Sequence, residues 1–257
     1  MKKSQATKQL QKFYQVFSEN AFRAIFLKLD FPNTLDYLKL EKEIRIKTFI
    51  SEGELTKAQL NANLKHLEDY LEEVDKYPKV FFPMILIYIV SSFEVYLKEV
   101  TKLLLKYDKR VIADSEKSIT YKTLMQYTNY DDLLDFIAVK YVHDMGYKSI
   151  EDQIMFLNRK IHINLSFKRA KGLVANRRYV DLNSIVEIFA TRNIVLHNGG
   201  EVNDIYIDRI ESTTFKKGEE RVISSDYLLS SFGSLRHAAE AILRQSKIFV
   251  ENFGKEK

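Results

Sequence analysis

Three prolines and eight glycines in 257 residues leave the backbone with little to interrupt a helix, which restricts the chain to long helical elements. A first helix is expected over residues 5–29, with apolar Leu10, Phe13, Val16, Phe17 and Phe22, stopping before Phe31-Pro32. A second is expected over residues 34–50. Ser51 and Glu54 then form a capping-box pattern. Behind it, Leu60, Leu64, Leu67, Leu71 and Val74 put five apolar side chains on one seam. That seam reads as packing inside a bundle or as a coiled-coil dimer contact.

Pro78 and Pro83 bracket the next expected helix start, and residues 83–107 are apolar on most faces early and amphipathic later. Weaker helices are expected over 133–142 and 151–159. Asp181 or Asn183 caps a helix reaching His197, and Gly199-Gly200 ends it. Asp226 caps a last helix carrying Leu228, Phe232, Leu235, Ala239 and Ile242. One segment breaks the pattern. Residues 204–210, DIYIDRI, alternate apolar and polar, and Lys217-Gly218 offers a turn, so a small β-hairpin is expected near 204–223. The fold class is all-α. A boundary near 76–79 makes residues 1–79 an N-terminal helical extension and 80–257 the main helical domain.

Composition removes several functions. Without cysteine there is no disulfide scaffold, thiolate metal site or cysteine nucleophile. The basic N-terminus lacks the apolar core of a signal peptide. The most apolar run, residues 80–90, is too short to span a bilayer and contains Pro83, so a cytosolic protein without membrane contact is expected. A net charge of +5 does not by itself imply nucleic acid; its distribution is more informative.

Chemistry concentrates at the end of the expected helix to His197. Asn193 and His197 are four residues apart and share a side. Arg192 is one residue round, with a side chain long enough to reach the same space. A histidine moves a proton near neutral pH, a guanidinium holds two phosphate oxygens, and an amide orients either. Together they suit RNA cleavage by attack of the 2′-hydroxyl on the adjacent phosphorus, which needs no metal because the substrate supplies the nucleophile. The same residue types also describe surface side chains, or a histidine capping carbonyls.

The run Arg192-Asn-Ile-Val-Leu-His197, continued by Asn198-Gly-Gly200, resembles the R-x(4–6)-H signature of the HEPN superfamily, in particular its RiboL-PSP branch. Upstream, Ser91-Ser-Phe-Glu-Val-Tyr-Leu97 resembles the helix that precedes the motif helix in such proteins. The resemblance covers roughly residues 80–250. It implies a helical bundle and a homodimer in which two motifs face one another. It also implies metal-independent RNA cleavage leaving a cyclic phosphate, with no cofactor. Arg192 and His197 become catalytic, Asn193 the intervening polar residue, and Glu94 and Asn198 supporting residues. Many such proteins are bacterial toxins or phage-defence effectors, which adds an antitoxin or defence-system protein as a partner. Others are inactive modules that bind RNA, nucleotide or a partner protein. Glu94, the one acid in an apolar and small-residue stretch, is a candidate partner for Arg192 or a solvent-facing side chain.

A second feature bears on RNA. Residues 153–180 contain no acid but carry Arg159, Lys160, Lys168, Arg169, Lys171, Arg177 and Arg178, with His162 and interleaved Phe156, Phe167 and Tyr179. Seven unopposed positive charges with aromatics suit phosphate contact and base stacking. They equally describe a solvated loop whose acidic partners lie elsewhere. The dipeptide His143-Asp144 lacks the further ligands of a metal phosphohydrolase, and no phosphate-binding loop or serine elbow occurs.

Overall fold

A computed structural model describes the chain except residues 52–56, 116–117, 168–179, 211–212 and 254–257, and, between residues 28 and 75, part of the side chains. The described residues form nine helices and no strand: α1 (Lys3–Ser51), α2 (Lys57–Tyr107), α3 (Arg110–Ala113), α4 (Tyr121–Leu124), α5 (Tyr130–Met145), α6 (Ile150–Arg159), α7 (Leu182–Asn198), α8 (Asp204–Arg209) and α9 (Ser225–Asn252).

The two longest helices merge what the prolines were expected to divide. α1 runs through Phe31-Pro32, and α2 runs through Pro78 and Pro83. A proline removes one hydrogen bond and crowds the preceding turn. Beyond Pro83, α2 is held on several sides by other helices, which offsets that local cost. The expected boundary near 76–79 therefore falls inside one unbroken helix. The seam from Leu60 to Val74 lies on the same helix, but its side chains are outside the described residues, as is Glu54.

The second half of α2 is the axis of the core. Leu86, Ile89, Val90, Phe93, Leu97, Val100 and Leu104 are fully buried, and α1, α5, α7 and α9 pack around them. The first half of α1 belongs to that same core through Ala6, Leu10, Phe17, Ala21 and Ile25, spaced four or seven residues apart so that they form one stripe. Aromatic rings lock the centre: Phe17 meets Phe93 edge-on at 5.7 Å, and Phe93 meets Phe189 of α7 at 6.3 Å. Tyr96 donates its hydroxyl to the carbonyl of Ala239 at 2.8 Å, tying α2 to α9. Burial pushes that phenol well above its ordinary range. Among the described residues, 76–107 is the one helical stretch long and apolar enough by composition to cross a membrane. In the fold, Ile85, Leu86, Ile89 and Val90 face the core, whereas Val80, Met84 and Tyr88 stay about half exposed.

The hairpin expected near 204–223 is absent. Residues 204–209 form α8, because the Asn203 side chain accepts from the Tyr206 amide and so caps a helix. Over seven residues the alternation is too short to decide the period, and the helix buries Tyr206. What remains of strand pairing is a single antiparallel bridge between Glu201 and Glu220. The last helix is capped by Ser224, which accepts from the Tyr227 amide, rather than by Asp226 two residues on.

Candidate functional site

α7 forms as the sequence suggests at both ends. Asp181 accepts from the Ser184 amide at 3.2 Å, and Gly199 ends the helix at φ 61°, a left-handed cap that glycine takes without steric cost. The Gly200 amide closes the cap on the Ile194 carbonyl at 3.0 Å. Gly200, at φ 90°, then sends the chain back, and its carbonyl accepts from Arg221 at 2.9 Å. Ile185, Ile188, Phe189 and Ile194 are buried, whereas Leu196 is about half exposed, because the inner stripe drifts past it in the last turn.

Arg192 faces inward. Its Nη2 donates to Glu94 Oε1 of α2, the pairing that the sequence raised as one alternative. The guanidinium carbon lies 5.5 Å from the Phe189 ring, and only 14% of the side chain is exposed. Its Nε is buried without an acceptor. Asn193 is half-buried, and His197 and Asn198 are exposed in the final turn. His197 has no hydrogen-bond partner among the described residues. Five residues separate Arg192 from His197, about 140° round the helix and about 7.5 Å along it. The structure therefore joins Arg192 to Glu94 and sets Asn193 and His197 on one side, but it does not bring the guanidinium and the imidazole of one chain into contact. Arg159 and Lys160 are exposed at the end of α6. Lys168, Arg169, Lys171, Arg177 and Arg178 lie outside the described residues.

A second polar node escaped sequence reasoning. Glu187, 24% exposed, collects four donors: Thr191 at 2.9 Å, Tyr206 at 3.1 Å and Arg221 at 3.1 Å on Oε1, and Tyr227 at 2.8 Å on Oε2. Arg221 lies between two rings, 4.1 Å from Tyr227 and 4.7 Å from Phe215. Burial, then the neighbouring Glu187 charge, pushes the Tyr227 phenol far up; burial also raises Tyr206. This node fastens residues 200–210 and 213–223 over the end of α7, where Ala190, Ile194, Val202 and Tyr206 form a small core of their own. The one hint in the sequence is an isolated acid in Ile185-Val-Glu-Ile-Phe189.

Among the described residues, no three histidine, aspartate or glutamate side chains are gathered where they could share a metal ion. Compared with known protein families, curated proteins and solved structures, the chain shows no significant match.

Proposed function

We propose that this chain is a metal-independent endoribonuclease of HEPN type, acting in the cytosol as a homodimer. In this reading the 2′-oxygen of RNA attacks phosphorus and gives up its proton, and the 5′-oxygen leaves with a proton. The products are a 2′,3′-cyclic phosphate and a free 5′-hydroxyl. His197 moves the proton, Arg192 offsets charge on the phosphate oxygens, and Asn193 orients the phosphate or the ring. A toxin or phage-defence role, with an antitoxin or defence-system partner, belongs to the same proposal.

The observation that carries it is the end of α7. An exposed His197 occupies the last turn before a left-handed glycine, and among the described residues Arg192 uses one of its five N–H donors. A guanidinium with spare donors can take a phosphate beside Glu94 or exchange one for the other. The 140° between Arg192 and His197 on one helix favours a site completed by a second copy, in which each motif supplies what the other turns away.

One observation favours a different reading. Arg192 is mostly buried and ion-paired, as in a helical module whose motif is structural and whose work is binding RNA, nucleotide or a protein. Cleavage of single-stranded RNA in EDTA separates the two. The nuclease reading expects cyclic-phosphate products from the parent, and loss of about 10²-fold or more in rate for His197→Ala and for Arg192→Ala. Undiminished cutting by both variants would remove this site from the reaction.

A further inference from the structure

The C-terminal ends of α2, α6 and α9 meet around an open two-lobed cleft that α7 does not line. One lobe, of about 830 Å³, has Tyr107, Arg110, His162, Asn164, Gln245 and Phe253 on its walls. The other, of about 680 Å³, shares Asp108, Arg110 and His162 and adds Arg159, Lys160 and Asp114. Each is within the size range that holds a small ligand or one unit of a larger one.

The wall between α6 and residue 167 is firmly set. Ile161, Ile163 and Leu165 alternate into the core, and Asn158 Oδ1 accepts from the Leu165 amide at 2.7 Å. His162 and Asn164 are left at the cleft with φ of 61° and 56°, left-handed conformations that cost a non-glycine residue free energy. Charge is unevenly neutralised. Arg110 is held by Asp108 through Nε at 2.8 Å and Nη2 at 2.7 Å, leaving Nη1 without a partner among the described residues. Those bonds hold the Asp108 carboxyl below its ordinary range. Arg159 and Lys160 are exposed and have no acid partner among the described residues. Basic residues at a helix C-terminus offset its dipole, which explains their charge. It does not explain two left-handed residues beside an open volume.

We propose that this cleft binds the phosphodiester backbone of single-stranded RNA, with Arg159, Lys160 and Arg110 Nη1 on phosphate oxygens and His162 and Asn164 on sugar or base. RNA, rather than another polyanion, rests on the ribonuclease reading; the cleft itself does not. Ser166 and Phe167 pair with Val180 just before α7, so the cleft lies toward the start of that helix. His197 lies at its other end, about 22 Å along the axis. The cleft is thus an anchor for the strand, away from the scissile bond.

The probe is a fluorescent 2′-O-methyl oligouridylate of about ten nucleotides, long enough for several phosphate contacts. It lacks the attacking hydroxyl, so binding is read without cleavage, on the full chain in EDTA. Failure of the nuclease reading would leave this measurement intact. Arg159→Glu/Lys160→Glu is expected to weaken binding about thirtyfold and to lower the slope of log affinity against log salt by about 1.4, some 0.7 per lost contact. Arg23→Glu, an exposed site on α1, is expected to bind as the parent does. Parent-like affinity in the double variant overturns the proposal. So does an equal loss in Arg23→Glu, which would mean bulk charge alone, or full displacement of the probe by polyglutamate of matched charge.

Discussion

α7 contributes one member to each of two glutamate–arginine pairs that differ in how many donors they gather. Glu187 gathers four donors, and its Arg221 is flanked by two rings. Among the described residues Glu94 takes one donor, from Arg192, which has one ring nearby at a longer distance. Both arginines are 14% exposed, and both bury an Nε without an acceptor. The first pair is the centre of a network, whose worth lies in holding Tyr206, Arg221 and Tyr227 against α7. The second leaves donors spare on the helix that ends in an exposed histidine. A pair whose carboxylate gathers many donors is a fastening; an under-used one has capacity left for a ligand.

The largest expected effect is at the Glu187 network. Glu187→Ala leaves Arg221 charged, mostly buried and unpaired, and should cost about 3 kcal/mol in urea unfolding. Glu94→Ala should cost less, about 1–2 kcal/mol, since one hydrogen bond is lost there against four at Glu187. Equal losses at the two sites would break the comparison.

Tyr227→Phe removes one bond to Glu187 and should cost about 1 kcal/mol near neutral pH. It also tests the alkaline limb. The Tyr96, Tyr206 and Tyr227 phenols all stand above their ordinary value of 10.0. The unfolded chain therefore loses those protons first, and stability is complete below pH 10 and falls as pH rises beyond it. Tyr227→Phe should shallow that fall; an unchanged alkaline slope would show that Tyr227 is not held neutral by its surroundings.

The smallest effect is at the exposed side chain. His197→Ala should change stability by less than about 0.5 kcal/mol, because the ring is in solvent and makes no described hydrogen bond. A larger loss would assign the imidazole a structural task and weaken the contrast.

How much of this was legible in the chain varied with range. The caps of α7 were, because Asp181 and Gly199 act within a few residues of themselves. The all-helical character followed from the shortage of glycine and proline. Continuity through Pro32, Pro78 and Pro83 was not legible, nor was the helix at 204–209. A local rule names the cost of a proline or the period of a short segment, but not the packing that overrides it. The Glu94–Arg192 pair was half visible, as an acid out of place among apolar residues. The Glu187 network was nearly invisible: Thr191 lies one helical turn on, but the partners at 206, 221 and 227 follow no spacing, and only the fold collects them.

The account turns on whether the under-used arginine and the exposed histidine perform chemistry. The most direct measurement follows cyclic-phosphate ends released from single-stranded RNA in EDTA by the parent and by a His197→Ala protein of matched melting temperature. The account predicts steady release from the parent and almost none from the variant. Equal release from the two, at equal stability, would contradict it.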